Sequence, residues 1–290
     1  MAEVFLTKRV EFAAAHRYHK EAWDPGRNRA VFGACNNEPG HGHNYLLEVT
    51  VAGQVDPTSG MVVNLYDLKQ VLEQVLEEFD HKHLNLDTPY FKDRIPTTEN
   101  IALVLWGILA TYPTIGRLEK VRLYEDEDLF VEISARMGLA TVGGQPEVRL
   151  TRRYHFSAAH RAYSTQLSED ENRRVFGSCS HPNGHNYVLS VTIRGAVDAE
   201  TGMVTDIPAL DRVVQEGVVR RLDHQDLNHD PDFSTRPTTG ENLAALIWDL
   251  LAKSIPAGSL EWVGLAQARD LLFEYRGAGA ECPSPSAGGR

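Results

Sequence analysis

Residues 12–16 read FAAAH, and residues 156–160 read FSAAH. The two pentapeptides end on histidines 144 positions apart, and the same offset separates Cys35 from Cys179. Further along, GMV begins at Gly60 and again at Gly202. DHKHLN at Asp80 is answered by DHQDLN at Asp223, and Glu99 in PTTEN by Glu241 in PTTGEN. These later offsets are 142, 143 and 142, so the spacing drifts by only one or two residues. Ordered matches at nearly constant spacing mark a duplication. Each copy is long enough to be a domain, which separates the pattern from a solenoid. The chain of 290 residues therefore divides into a first unit over 1–136 and a linker over 137–147 that holds Gly143, Gly144 and Pro146. A second unit follows over 148–277, then a Gly/Ser/Pro-rich tail over 278–290, which is expected to be disordered.

Within the first copy, residues 4–12 and 45–55 are rich in β-branched side chains, and a turn-like DPTSG follows the second stretch, so both are expected strands. Leu65, Leu68, Leu72, Val75, Leu76 and Phe79 recur at helical spacing, with Asn64 as a cap. Thr97 or Thr98 caps a second helix carrying Ile101, Ala102, Leu105, Trp106 and Leu109. Residues 121–125 and 129–133 form a hairpin around an acidic turn. The expected order is ββααββ, with helices segregated from an antiparallel sheet, which is the α+β class.

Bulk composition narrows the function. A net charge of −11 argues against a general nucleic-acid binder, which needs a basic face. A few clustered Lys or Arg would still suffice for a phosphorylated substrate. No secretory signal is expected, because Lys8 and Arg9 interrupt the start. The longest apolar run, IALVLWGILA at 101–110, is too short to span a bilayer. Cys35, Cys179 and Cys282 make no disulfide framework, and two of them sit at matching places in the copies. Reduced, chemically employed thiols and a cytoplasmic location are the expectation.

His41 and His43 stand two apart where strand character begins, so both imidazoles leave one face. His16, at the end of the first strand, is the third candidate ligand. Three protein ligands with an open position is how a catalytic zinc is held, and Fe or Ni match the ligand type as well. Alone, His-Gly-His reads more readily as a surface turn. Cys35 is either a fourth ligand or a base, since a thiol near a divalent cation tends to ionise. Asp80-His81, repeated as Asp223-His224, pairs a carboxylate with an imidazole: a proton relay, or a polar helix C-terminus. Glu99 starts a helix, where an acid suits the dipole, and Glu125 ends a strand as a solvated charge by default.

FAAAH, CNNEPGHGHNY, GMVVNLYDLK, FDHKHLN, PTTENIA and VRLYED, in this order and spacing, resemble the family of 6-pyruvoyl-tetrahydropterin synthase and the related 6-carboxytetrahydropterin synthase. The resemblance covers the first copy and most of the second. It implies tunnelling-fold (T-fold) units whose sheets close into barrels, and three tandem chains would supply six units, hence a homotrimer. It implies Zn²⁺ on His16, His41 and His43, and Cys35 as proton acceptor. Asp80 and His81 would come from a neighbouring unit, with Glu125 assisting. Glu99 would grip a pterin bidentately. The implied substrate is the small molecule 7,8-dihydroneopterin triphosphate. The long Cys-to-His spacing of the first copy looks like the animal pyruvoyl enzyme. A carboxy enzyme and a non-catalytic pterin-binding module are the alternatives.

The second copy departs from that pattern twice. CSHPNGHNY at 179–187 is two residues shorter than CNNEPGHGHNY at 35–45 and lacks its His-Gly-His triplet. Aligning His185 with His43 puts Asn183 at the place of His41; the other alignment moves the deletion past His185. His181 is the candidate replacement, which would give a second metal site of His160, His185 and His181. Gln267 stands where Glu125 does, and an amide carries no proton in a relay. Cys179, Asp223, His224 and Glu241 are kept. Either the first copy hosts the working site and the second is a partner, or both pockets work.

Overall fold

The computed structural model describes residues 3–137, 141–142 and 145–278. Strand β1 covers Glu3–His16, helix α1 Pro25–Phe32 and strand β2 His41–Gln54. Helices α2 (Leu65–Leu76) and α3 (Thr98–Leu109) follow, then the hairpin β3 (Arg117–Asp126) and β4 (Leu129–Ser134), and then β5 (Gln145–His160). The second repeat continues with α4 (Glu169–Phe176), β6 (Asn183–Ala196), α5 (Ile207–Val214), α6 (Gly240–Leu251), β7 (Ser259–Ala268) and β8 (Leu271–Tyr275). The α+β class and the duplication are both present. Among the described residues, no helix is long and apolar enough to cross a membrane.

The chain forms two compact units, and their limits do not follow the repeats. The first holds residues 1–152 together with 193–210 and 256–259; the second holds the remainder. The expected linker is a strand over part of its length, since β5 begins at Gln145; residues 138–140 and 143–144 lie outside the described residues. Nearly all of the expected tail, from residue 279, lies outside them as well.

In the first unit β1 pairs antiparallel with β2, β2 with β3, and β3 with β4. Leu129–Glu132 of β4 also pair with Arg149–Arg152 of β5. Tyr45, Leu47, Val49 and Val51 alternate along β2 and are fully buried, as are Leu68 and Leu72 of α2 and Ile101, Leu105 and Leu109 of α3. Period two on the strand and period three to four on the helices thus meet in one core. Asn64 caps α2 by accepting from the Tyr66 amide, and Thr97, rather than Thr98, caps α3 through the Asn100 amide. Helix α1 is an addition to the expected ββααββ order: Asp24 caps it and Pro25 opens it. Its apolar content is too small to give a periodic signal.

The second unit repeats the scheme, with strand order β8-β7-β6-β5. Strands β2 and β6 both run for 14 residues, one starting at His41 and the other at Asn183. The alignment of His185 with His43 is therefore the structural one, and the deletion lies before the strand.

Candidate metal centre and active site

Both histidine-bearing strands are longer than expected, and the extra residues build the site. β1 runs on to His16 and β2 begins at His41, so these two face each other in the register, with His43 opposite Ala14. Gly42 lets the strands approach: a Cβ there would lie 3.0 Å from the Ala14 carbonyl oxygen. His16, His41 and His43 each offer a ring nitrogen, all within 4.8 Å of one another. His16 Nε2 and His41 Nε2 are 3.2 Å apart. The Pro96 carbonyl, 2.9 Å from His16 Nδ1, and the Tyr45 hydroxyl, 3.1 Å from it, orient the ring so that Nε2 points into the cluster. Tyr45 is itself stacked on Phe12 with centroids 5.1 Å apart.

Burial, then the Pro96 contact opposing it and the neighbouring imidazoles adding to it, sets the His16 pKa down at about 3. His41 is lowered by burial and by His43. His43 Nε2 is buried and makes no hydrogen bond. Converging nitrogens, a lowered pKa at His16 and His41 and one orphaned ring nitrogen on His43 fit a metal ion, since the ligating form of imidazole is the neutral one. The group is able to hold a metal.

Glu125 closes one side. Its Oε1 lies 3.6 Å from His43 Nε2, and its Oε2 accepts from the Tyr18 hydroxyl at 3.2 Å and from the Thr98 hydroxyl. At 7% exposure it is no solvated surface charge. Burial, with Glu125 adding to it, raises the phenols of Tyr18 and Tyr45. Cys35 follows α1 in the turn Gly33–Asn36, half-buried, with its carbonyl accepting from the Tyr18 amide at 2.9 Å. Burial, then Glu125, pushes its thiol up to about 11, with Arg152 opposing. Burial and Glu125 thus favour the protonated thiol, and the expected thiolate rests on a nearby divalent cation.

Glu99 lies in the first turn of α3. It is 1% exposed, and its Oε1 accepts from the Val204 amide at 3.0 Å. Burial raises its pKa to about 7, against the pull of that amide. One oxygen is already engaged, so a bidentate grip on a ligand requires that contact to open. Sequence reasoning missed Tyr18, Tyr45 and Thr98. Tyr45 stood inside the quoted HGHNY, and Thr98 inside PTTEN, but neither hydroxyl carries a signal on its own.

The Asp80-His81 pair is built rigidly. Asp80 Oδ1 accepts from the Ala13 amide at 2.8 Å, the His81 amide donates to the Ala13 carbonyl at 2.6 Å, and His81 Nδ1 lies 2.9 Å from Asp80 Oδ2. His81 takes a φ of 56°, a left-handed conformation uncommon outside glycine. Its ring opens on a groove of about 450 Å³ lined by Ala13, Ala15, Gly42, Asn44 and Lys82, and Ala14 and His43 also border it. Ala13, Ala15, Gly42 and Asn44 alternate along β1 and β2 with His16, His41 and His43. The structure does not bring Asp80 and His81 to the cluster of their own unit.

In the second unit Asp223 and His224 repeat this geometry, including the φ of 56°. His160 and His185 come together with ring centroids 5.2 Å apart. Gln267 Nε2 lies 2.7 Å from His185 Nε2, where Glu125 approaches His43. His181 is exposed and joins no cluster; among the described residues only His16, His41 and His43 form a three-ligand group. The candidate second metal site is therefore not assembled. Cys179 and Glu241 are exposed, unlike their counterparts. Where α3 has Thr98, α6 has Gly240, and a Cβ on it would lie 2.1 Å from the Phe273 ring.

Fold and site together define a duplicated α+β protein with, among the described residues, one three-histidine group that could hold a metal ion. The family model described as 6-pyruvoyl tetrahydropterin synthase matches residues 5–136 and again 149–278. The chain belongs to that family, in two tandem copies. It is 43% identical over 127 residues to 6-pyruvoyl tetrahydrobiopterin synthase of Homo sapiens, covering 43% of this chain and 88% of that one. It is 37% identical over 109 residues to a putative 6-carboxy-5,6,7,8-tetrahydropterin synthase of Archaeoglobus fulgidus, covering 35% and 88%. The solved Caenorhabditis elegans 6-pyruvoyl tetrahydropterin synthase shares 38% identity at a TM-score of 0.44, covering 46% of this chain and 96% of that one.

Proposed function

We propose that the first unit is a zinc-dependent lyase that eliminates triphosphate from 7,8-dihydroneopterin triphosphate to form 6-pyruvoyl-tetrahydropterin. The observation that carries the reading is the convergence of His16, His41 and His43, with Glu125 beside His43 and close enough to Cys35 to act on its thiol. The named human relative supports the choice of reaction. A zinc ion held by the three imidazoles would polarise the substrate's side-chain hydroxyls and favour charge developing on the neighbouring carbons.

The chain's own groups do the rest. Cys35, once its proton is lost, accepts a proton from the substrate side chain; triphosphate departs and the side chain rearranges internally. Glu125 is held by Tyr18 and Thr98 with an oxygen toward the cluster, ready to meet a donor on the substrate. Asp80 and His81, facing away from their own cluster, suit a relay into the site of a neighbouring unit, and so do Asp223 and His224. This requires assembly, and a homotrimer of tandem chains, with barrels closed between them, is the proposed form. A cytoplasmic location belongs to the same proposal; Cys35 and Cys179 are free thiols. The Archaeoglobus relative supports the second reading, the carboxy product with loss of acetaldehyde. Incubating purified, zinc-loaded protein with dihydroneopterin triphosphate tests both. Triphosphate with a pyruvoyl product is expected; acetaldehyde selects the second reading, and release of neither product refutes both.

A further inference from the structure

Residues 193–210 belong to the second repeat by chain position and to the first unit by packing. The loop at 198–204 sits on the first site. Thr97 Oγ1 donates to the Gly202 carbonyl at 2.6 Å, and the Val204 amide holds Glu99. Met203 completes an apolar cluster with Tyr18, Trp23, Phe32 and Ile95, against which Cys35 packs. Gly202 has a φ of 76°, and a Cβ on it would lie 2.5 Å from Asn100 Nδ2, so the approach requires glycine.

Glu200 fastens the outer end of this loop. Its Oε1 accepts from Trp23 Nε1 at 3.0 Å and lies 3.2 Å from Lys20 Nζ and 3.5 Å from an Arg27 Nη. The Arg27 guanidinium carbon stands 3.8 Å from the Trp23 ring centroid. Hydrogen bonds from Lys20 and then Trp23 keep Glu200 below the usual carboxylate range.

The duplication supplies an internal comparison. Asp56 Oδ1 accepts from the amides of Thr58 and Ser59, and Asp198 Oδ1 accepts from those of Glu200 and Thr201. The two loops are thus in register, and Thr58 occupies the place of Glu200. On the receiving side, Asn28 bonds the backbone of Lys20, Trp23 and Asp24, while Asn172 bonds that of Ser164, Leu167 and Ser168. Lys20, Trp23 and Arg27 therefore correspond to Ser164, Leu167 and Glu171. The second cradle has no cation and no indole at these places, and its Glu171 is engaged in a capping box with Ser168. A carboxylate matched to two cations exists in one combination alone: second-repeat loop with first-repeat cradle. On the second cradle, Glu200 would face a like charge.

We infer that Glu200, read by Lys20, Trp23 and Arg27, is a pairing lock that assigns the second repeat's loop to the first repeat's site. The second repeat then acts as a positioning subunit: Val204 fixes Glu99, and Met203 belongs to the apolar cluster on which Cys35 packs. The functional meaning rests on the reading of that site given above; the docking itself does not.

Amide hydrogen exchange of the full chain, read on a peptide spanning 199–206, tests the lock. Glu200→Lys is expected to accelerate exchange there by about fivefold or more, because a docked loop exchanges through local opening. Adding Lys20→Glu and Arg27→Glu to that variant restores most of the protection. Glu200→Thr, which copies the first repeat's residue, accelerates exchange in the same direction and decides the matter if the reversed charge unfolds the protein. A peptide spanning 65–76 reports such global unfolding. Unchanged exchange in both single variants, or acceleration that the swapped charges fail to reverse, overturns the lock. Absence of triphosphate release from a protein that passes this test would remove the lyase reading and leave the lock standing.

Discussion

His43 Nε2 is buried, carries no hydrogen bond and faces two further imidazole nitrogens. An orphaned polar atom in a folded protein calls for a partner, and a cation fits this one. His43→Ala should abolish stoichiometric zinc uptake measured by mass spectrometry of the dialysed protein; retention of one equivalent would count against the assignment. Cys35→Ala should retain the metal and lose turnover by about 10²-fold or more, as expected for a general base. His16 gives a pH prediction. Its folded pKa of about 3 lies below the unfolded value of 6.5. As pH falls below 6.5 the unfolded chain binds a proton that the folded ring refuses, so stability declines toward pH 3. The slope approaches about 1.4 kcal/mol per pH unit for one proton. Thermal melts of metal-free protein should show His16→Asn with a shallower loss over that window; parallel curves would contradict it. The grouping of the histidines was legible because His41 and His43 stand two apart and His16 follows the first strand. The thiol's protonation was not legible, because it depends on how deeply Cys35 sits and on Glu125, which only the fold brings near.

The site is a property of two strand ends in register. Sequence alternation located the strands but stopped them short of His16 and began the second after His43, because alanine, glycine and histidine carry little β signal. Pairing of His16 with His41 supplies what composition could not. Gly42→Val should therefore weaken zinc binding without touching a ligand, since its Cβ would press on the Ala14 carbonyl; an unchanged zinc affinity would refute the role given to that close approach. Gly107 provides the contrast. It lies mid-helix in α3 with open space around its Cβ direction, so Gly107→Ala should raise stability by roughly 0.5–1 kcal/mol in denaturant melts, with zinc affinity unaltered. Helix α1 escaped notice for a related reason: its stability comes from the Asp24 cap and the Asn28 hydrogen bonds rather than from an apolar stripe.

At the scale of the molecule, the two copies have diverged at the candidate site. The first repeat keeps three histidines, Glu125 and Thr98. The second has Asn183, Gln267 and Gly240 in three of those places and keeps Asp223 and His224 in the strained, outward-facing form. The duplication was plain from the offsets, whereas the transfer of residues 193–210 into the first unit was invisible, since no periodicity encodes which body a loop joins. The central claim is that one metal centre per chain is built by the first repeat alone. Zinc titration of the full chain, monitored by calorimetry and checked by elemental analysis, tests it most directly. One equivalent, lost in His41→Ala and kept in His185→Ala, is the predicted result; two equivalents, or a loss in His185→Ala equal to that in His41→Ala, would contradict it.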